Sequence, residues 1–474
     1  MRLRPLLAAL PILVASTLLS AGAVSAADYY VAPLGTVLTC STMDGTLACP
    51  FASIDKAFAS MRVLSGDNIL LMDGNFGGVD KVTAAFDAQV TIQSLNGSNA
   101  HLSYIHFDSA ARNIRLKNLT IWRDDADTNT GYLVRAYDGA TYLTFENLEL
   151  RSRADSTNYV NWSQERWLAA ATLGMDLRGQ YFTVRGCTLT GVSGGIYMAS
   201  NALVENNVID GFYQDGLKGV SNSIFRGNVV KNNANIDPAY HSDGFQSYSS
   251  SGLVTNLTLE NNTIIQWTND PSHPLKGSLQ GIGMFDGWYD NIIIRNNLVV
   301  TDHYHGISVY GTRGAVIVNN TVVSLSGLPN TSPWIMVNAR KDGTPSQDVL
   351  VANNLAMAFS VSADPTRNIV LVNNSVILDP ALVFTDLKTF NYRPTATSGY
   401  LDTADSASAP PTDILGTVRP SGAGPDRGAY EISGTGGTTS GGTTTTPPPT
   451  TTPPPTTTPP PTTTPKFLRP PKKS

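Results

Sequence analysis

A four-residue pattern recurs ten times between residues 116 and 374 and constrains the fold more than any other feature. Most copies place an apolar residue and a polar residue before Asn or Gly, and a second Asn and a β-rich run usually follow. The third positions are Asn118, Asn147, Gly186, Asn206, Gly227, Asn261, Asn296, Asn319, Asn353 and Asn373. Their spacings of 20 to 39 residues predict a solenoid of short strands with loop insertions. Helical repeats fit badly, because Gly, Asn and β-branched residues stand where helix formers are needed.

The fourth position of the pattern indicates how the turns are held together. Its members are Asn207, Asn228, Asn262, Asn297, Asn320, Asn354 and Asn374. Neighbouring rungs of such a coil lie about 4.8 Å apart, so these amides can hydrogen-bond to one another in a ladder. Cys187 occupies the same column in one rung, which predicts a buried free thiol.

The start of the chain is typical of a secretory signal. A positively charged end precedes an apolar run over residues 6–19, and small residues offer a cleavage site near Ala26 or Ala27. We therefore expect residues 1–26 to be removed and the mature protein to be secreted (extracellular, periplasmic or at the cell surface). We expect no membrane span after cleavage, and a monomer. Export also allows Cys40 and Cys49 to pair in a disulfide.

The remaining composition separates a body from a tail. Residues 433–474 are dominated by Thr and Pro and end in a short basic stretch, which predicts a disordered linker and tail. Residues 27–432 are expected to form one domain. The net charge is −5, and no block of Lys or Arg runs through this body, so a nucleic-acid partner is not expected.

Three further segments accompany the repeat: YYVAPLG (29–35), PFASIDKAFASM (50–61) and DRGAYE (426–431). Together with the repeat they resemble the right-handed parallel β-helix of secreted polysaccharide-degrading proteins, the pectate-lyase-like group. The resemblance covers residues 28–432 and implies an all-β, single-stranded right-handed parallel β-helix. It also implies an N-terminal capping helix, whose apolar face would carry Ile54, Ala57, Phe58 and Met61.

A second element precedes four of the Asn bends: QDGLKGV (214–220), SDGFQSY (242–248), LQGIGMF (279–285) and YHGISVY (304–310). Alignment on the glycine, which would let the chain bend, stacks Asp215, Asp243, Gln280 and His305 in one column. Leu217, Phe245, Ile282 and Ile307 then fill a core column. Strand alternation turns outward Lys218, Gln246 and Ser308, and two residues later Tyr248, Phe285 and Tyr310.

This stack predicts a groove rather than ordinary scaffold. Two carboxylates opposed across a sheet are destabilising, so Asp215 and Asp243 need a shared proton, Lys218, or a bound cation such as Ca²⁺. An exposed aromatic file beside them suits contact with sugar rings. The alternative stays open that each histidine is a turn residue and that the polar residues only face water.

The resemblance also allows the chain to be compared with the catalytic motifs of hydrolases that share this fold. Polygalacturonase-type hydrolases of this fold take their acids from two rungs; Asp243 and His305 match parts of that pattern, but Leu279 and Gln280 replace the paired acids. Asp215 and Asp243 on adjacent rungs would be about 5 Å apart, whereas inverting hydrolysis needs roughly 6.5–9.5 Å.

We therefore expect a polysaccharide lyase that cleaves a uronate-containing polymer by β-elimination; a C5 epimerase is the less favoured relative. The catalytic candidates are Lys218, His241, Asp243 and His305. The substrate-binding candidates are Gln246, Tyr248, Gln280, Phe285 and Tyr310. Asp215 and Asp243 are candidate ligands of a Ca²⁺ cofactor that would neutralise the substrate carboxylate. An acidic polysaccharide is the expected partner. Two alternatives remain: a non-catalytic polysaccharide-binding or adhesion protein, and a glycoside hydrolase with an atypical carboxylate pair.

Overall fold

The computed structural model describes residues 26–127, 131–237, 239–327 and 332–433. The predicted signal segment and Thr/Pro-rich tail lie outside these ranges, apart from their boundary residues 26 and 433. The described chain is a right-handed parallel β-helix, as the repeat predicted, in which each turn passes through three ladders of parallel strands. None of the described helices is long and apolar enough to pass through a bilayer.

The first ladder carries the candidate site. Its strands are Gly78–Val82, Tyr104–Phe107, Tyr132–Ala136, Leu173–Leu177, Ile196–Met198, Leu217–Lys218, Asp243–Thr255, Gln280–Arg295, His305–Tyr310, Trp334–Asn338 and Ala358–Ser360. The two longest, Asp243–Thr255 and Gln280–Arg295, continue past the corner into the second ladder.

The second and third ladders complete each turn. The second contains Asp28–Val31, Asn68–Leu71, Ala85–Ser94, Arg112–Lys117, Thr144–Glu146, Phe182–Arg185, Ala202–Glu205, Ser223–Arg226, Leu257–Glu260, Thr312–Val318, Gln347–Ala352 and Ile369–Val372. The third contains Gly74–Asn75, Ala100–Leu102, Thr120–Ile121, Glu149–Arg151, Thr188–Thr190, Val208–Phe212, Val229–Asn233, Thr263–Ile265, Leu298–Val300, Thr321–Val323, Leu355–Ala356 and Ser375–Val376.

The bend between the second and third ladders depends on the repeated Asn. All ten third positions have φ between 49° and 64°, the left-handed region that Asn and Gly tolerate best. The next position forms the predicted ladder: in six successive pairs an Asn Nδ2 donates to the Oδ1 of the following Asn at 2.9–3.0 Å. The same Oδ1 atoms accept main-chain N–H groups, so the buried amides are satisfied. Cys187 continues the column, fully buried, and its N–H donates to Asn207.

The core follows the predicted column, because Leu217, Phe245, Ile282 and Ile307 are at most 2% exposed. The aligned glycines have a different role from the one predicted. None of the four has a positive φ; instead, a Cβ on Gly244 would lie 2.4 Å from Ile264 Cγ2 of the third ladder. Gly216, Gly281 and Gly306 face Val230, Val299 and Val322 in the same way, at 2.2–2.4 Å. Glycine is therefore required there because two ladders approach closely, not because the chain bends.

The remaining elements lie at the ends and on one flank. The helices are Ile54–Ala59, Gln164–Ala170 and Pro380–Val383, the 3-10 helices are Ala154–Asn161 and Pro365–Arg367, and Phe384–Asp386 pairs antiparallel with Asn391–Pro394. Ile54 and Ala57 of the first helix are buried as predicted. The prediction that Met61 lies on the same apolar face is wrong, because Met61 is 86% exposed and lies beyond the helix with a φ of 56°. Cys40 and Cys49 form a disulfide.

Candidate active site

The outward face of the second ladder shows how charged side chains are normally arranged on this coil, and the candidate site can be compared with it. Lys117, Glu146, Arg185, Glu205, Arg226, Glu260 and Arg295 follow one another in register along it. Opposite charges alternate from rung to rung, as sheet electrostatics favours. Arg226 lies 2.7 Å from Glu205, and Arg295 lies 2.6 Å from Glu260. The first ladder departs from this rule, because Asp215 precedes Asp243 there.

Asp215 is neutralised within the protein. Lys218 Nζ lies 2.7 Å from its Oδ2, and the main-chain N–H of Asp243 donates to its Oδ1 at 2.8 Å. Asp215 is buried, while the Lys218 side chain is one-third exposed. The predicted stack of the two acids is therefore present. The negative charge of Asp215 is compensated by Lys218.

Asp243 is in a different state. It is 1% exposed; its Oδ2 accepts a 3.3 Å bond from Gln246 Nε2, and its Oδ1 has no hydrogen-bond partner among the described residues. Burial raises the pKa of Asp243 well above its usual range, and the nearby Asp215 raises it further. A Cβ on Gly283, in the next rung, would lie 2.3 Å from this oxygen. The raised pKa therefore favours the protonated form of this carboxyl. The absence of a side chain at Gly283 provides the space that the Asp243 carboxyl occupies.

Gln280 and His305 continue this column. Gln280 pairs with Asp243, and its Oε1 is likewise buried without a partner in the described part of the chain. Pairing of Ile282 with Ile307 brings His305 opposite Gln280 in the following rung. The structure thus brings together the four residues that the glycine alignment placed in one column.

His305 is held as a neutral imidazole. Its Nδ1 lies 2.8 Å from Ser308 Oγ, and the N–H of Trp334 Nε1 is shared between that hydroxyl, at 3.1 Å, and Nδ1, at 3.3 Å. Burial, and secondarily His303, lower the pKa of His305 to about 4. In the tautomer in which Nδ1–H donates to Ser308 Oγ, Nε2 carries the lone pair that can accept a proton.

His303 was not among the predicted residues. Its Nδ1 accepts the main-chain N–H of His305 at 3.0 Å, and the two rings stack at 5.3 Å. Burial and the charge of His241 lower the pKa of His303 to about 4. The HYH triplet at 303–305 was the available signal, but strand parity could not show that His303 supports its neighbour.

The aromatic file is only partly as predicted. Phe285 contacts Tyr310 at 5.6 Å and His305 at 4.9 Å between ring centroids. Tyr248 does not continue this file, because the pairing register shifts between Gln246 and Tyr248 and places Tyr248 opposite Asp286. Tyr248, 57% exposed, belongs to the neighbouring part of the groove instead.

Two adjoining cavities form one groove along the first ladder. The acid–imidazole cavity, of about 470 Å³, is lined by His241, Asp243, Gln246, Gln280, Phe285, Asp286, His305, Tyr310 and Lys341. The upstream cavity, of about 600 Å³, includes Asp138, Asp176, Arg178, Tyr197, Lys218, Gln246 and Tyr248 in its lining. Gln246 lines both, so the two cavities adjoin at this residue. Lys218, a predicted candidate base beside the two stacked acids, therefore lines the upstream cavity, whereas His305 lines the acid–imidazole cavity.

Asp286 and Lys341 line the acid–imidazole cavity, although neither had a predicted role. Lys341 Nζ lies 2.6 Å from Asp286 Oδ1, and both side chains are substantially exposed. Lys341 comes from the segment after Trp334–Asn338, one rung beyond His305. Its position depends on the length of that loop, which the strand pattern does not encode.

The residues do not fit the predicted calcium site. Ca²⁺ takes 6–8 oxygen ligands, several of them charged, whereas Asp215 is already paired with Lys218 at 2.7 Å. No group of three or more His, Cys, Asp or Glu side chains in the described ranges is arranged to hold a metal ion. Calcium at this site stays an untested prediction, and no step below uses it.

One family model supports the architecture. Residues 103–272 match the family described as the right handed beta helix region. Similar solved structures include a pectate lyase (16% identity, 86% of this chain and 97% of the other, TM-score 0.47) and a rhamnogalacturonan lyase (16%, 74% and 87%, TM-score 0.43). An alginate lyase from a Paenibacillus species is also similar (16%, 61% and 94%, TM-score 0.36). No curated protein matches the chain. Similarity at this level does not identify a reaction, because one fold hosts many chemistries.

Proposed function

We propose that this right-handed β-helix protein is an exported polysaccharide lyase that cleaves a uronate-containing polymer by β-elimination in the groove of the first ladder. The observation that carries the proposal is a buried carboxyl and a half-buried imidazole that line one cavity and whose pKa values are shifted in opposite directions. The pKa of Asp243 is raised and one of its oxygens has no partner among the described residues, while the pKa of His305, two rungs away, is lowered to about 4.

Those shifts favour the forms that the elimination requires. The base takes the proton from C5 of the uronate; the C4–C5 double bond forms as the bond between C4 and the leaving oxygen breaks; and the acid protonates that oxygen. His305 Nε2 takes the C5 proton and Asp243 donates its own. Transfer of the proton from the imidazolium back to the carboxylate restores both groups.

The neighbouring groups supply the remaining needs of the substrate. Lys341 and Lys218 each use a carboxylate partner within the protein, but an ammonium has three N–H donors and can also hold a uronate carboxylate. Gln280 and Gln246 line the cavity with amides, and Phe285 and Tyr310 offer ring surfaces to pyranose faces.

The proposal is tested with the purified mature chain on pectate, alginate and glycosaminoglycans, with and without calcium. Elimination creates an unsaturated uronate that absorbs in the ultraviolet. Asp243→Asn and His305→Ala are expected to reduce product formation at least a hundredfold, consistent with the roughly 10²–10⁴-fold contribution of a positioned acid or base. Asp87→Asn, on an exposed carboxylate of the second ladder, is the matched control and should leave turnover unchanged.

A second candidate rests on Asp286. This carboxylate lines the same cavity as Asp243 and is paired with Lys341, so the cavity holds two carboxyl groups, the number that glycoside hydrolysis uses. A hydrolase would release reducing ends without ultraviolet absorbance and would lose activity in Asp286→Asn. Tight binding of the polymer with no cleavage product of either kind would instead favour the non-catalytic alternative.

A further inference from the structure

We propose that Arg178 forms an anion subsite at the upstream end of the groove, where it binds the carboxylate of a uronate unit about three rungs before Asp243. This inference rests on the proposed function, because it assigns the substrate class of the same groove. It also extends the site beyond the residues that surround Asp243 and His305.

The first observation is that two guanidinium groups share one carboxylate. Arg178 Nε donates to Asp176 Oδ2 at 3.0 Å, and Arg135 Nε lies 3.5 Å from the same oxygen. Asp176 is buried. Its single negative charge is therefore divided between two cations, unlike the one-to-one pair of Lys218 with Asp215.

The second observation is that the two arginines differ in what they face. Arg135 lies between the rings of Tyr132 and Tyr137, at 4.3 and 4.4 Å from their centroids, and its side chain is 19% exposed. The Arg178 side chain is 49% exposed and lines the upstream cavity. Arg135 thus fixes Asp176, and Asp176 orients Arg178 toward the groove.

The orientation leaves donors for a ligand. Among the described residues, the side chain of Arg178 makes one hydrogen bond, through Nε, so its two terminal nitrogens are available. A planar guanidinium with two such nitrogens matches a carboxylate bidentately. Asp138 lines the same cavity and its charge contributes to raising the pKa of Arg178, after the larger contribution of Asp176, but Asp138 is exposed and forms no ion pair with Arg178 in the described structure.

The distance between Arg178 and Asp243 along the ladder indicates what kind of ligand can contact both residues. Asp176, Tyr197, Lys218 and Gln246 occupy successive rungs of one column. Three rung steps at about 4.8 Å separate the first from the last by about 14 Å. A pyranose unit is close to one rung in length, so a polymer lying along the ladder places a second carboxylate at Arg178 only when it extends several units upstream.

The test uses Arg178→Ala and Arg178→Lys, with Arg112→Ala as the matched control, since Arg112 is an exposed, ion-paired arginine of the second ladder. Binding is measured by calorimetry in the Asp243→Asn background, using oligouronates of increasing length and their uncharged methyl esters. Loss of a bidentate charged contact predicts about tenfold weaker binding of long acidic oligomers in Arg178→Ala. The lysine variant should fall between, and short oligomers, methyl esters and the control should be unaffected.

Two outcomes separate this proposal from the proposed function. If the wild-type chain cleaves uronates but Arg178→Ala binds long and short oligomers as well as its parent, the subsite is wrong and the lyase proposal stands. If no polymer is cleaved while Arg178→Ala still loses affinity only for long acidic oligomers, the subsite stands without the lyase. Equal losses on acidic and esterified oligomers would also overturn the subsite, since they would show that charge is not what Arg178 recognises.

Discussion

The main-chain N–H of Asp243 donates to the carboxylate of Asp215 at 2.8 Å, and this bond makes the two stacked acids inequivalent. Asp215 also receives Lys218 at 2.7 Å, so its negative charge is matched twice. Asp243 receives only the amide of Gln246, at 3.3 Å, and is almost fully buried. The like-charge conflict is thereby resolved by a lysine on one acid and a favoured proton on the other.

Asp243 should make stability fall as pH rises. A carboxyl whose folded-state pKa is raised contributes stability that is fully present below its unfolded pKa, near 3.8, and is lost as pH rises through the folded value. Asp243→Asn keeps the shape without the ionisation, so its denaturant midpoint should exceed that of the wild type at neutral pH and lack this slope. An unchanged slope in the variant would contradict the assigned state of Asp243.

His303 and His305 should act in the opposite direction. Both have pKa values lowered from 6.5 to about 4, so they contribute stability above pH 6.5 that is lost as pH falls toward 4. His303→Gln should flatten the fall in unfolding free energy over this window in denaturant titrations. A variant that loses stability as steeply as the wild type below pH 6.5 would show that His303 is not held neutral.

The activity should follow the same imidazole. If His305 is the base, kcat/KM should fall on the acidic side near pH 4 rather than near the 6.5 of a solvated imidazole. Initial rates of ultraviolet product formation across this range give the profile. An acidic limb centred at pH 6.5 would assign the base to a less buried group.

The buried Asn ladder should be a main source of stability. Asn262 bonds Asn228, Asn297 and the carbonyl of Phe225. Asn262→Ala leaves at least two buried groups without partners, and at roughly 1–3 kcal/mol each it should cost about 2–4 kcal/mol of unfolding free energy. Asn99→Ala, which removes an exposed amide bonded to Asp73, is the control and should cost much less. Equal effects would contradict the ladder's role.

Gly244 should tolerate no larger residue unless its neighbour shrinks. A Cβ there lies 2.4 Å from Ile264 Cγ2, so Gly244→Ala should destabilise the coil by about 1–3 kcal/mol. Ile264→Ala should offset part of that cost when combined with it, and a double-mutant cycle measures the coupling. Additive effects would indicate that the close approach of the ladders is not the constraint.

The sequence predicted the features that repeat and missed those that depend on loops. Asn262 and its column were predictable for two reasons. The left-handed bend recurs in all ten copies of the repeat, and the rung spacing brings successive Asn side chains within hydrogen-bonding distance of one another. The column of Asp243, Gln280 and His305 followed from a shared glycine, although the physical reason for that glycine was wrong. The displacement of Tyr248 depends on a register shift, and the positions of Lys341 and His303 depend on inserted segments, none of which has a periodic signal.

The central claim is that Asp243 and His305 act as acid and base on a uronate polymer. The most direct measurement is ultraviolet absorbance during incubation of wild type, Asp243→Asn, His305→Ala and Asp87→Asn with acidic polysaccharides. The account predicts an absorbing product from wild type and Asp87→Asn on at least one uronate polymer, and at least a hundredfold less from the two groove variants. Undiminished product from both groove variants, or reducing ends without absorbance from the wild type, would contradict it.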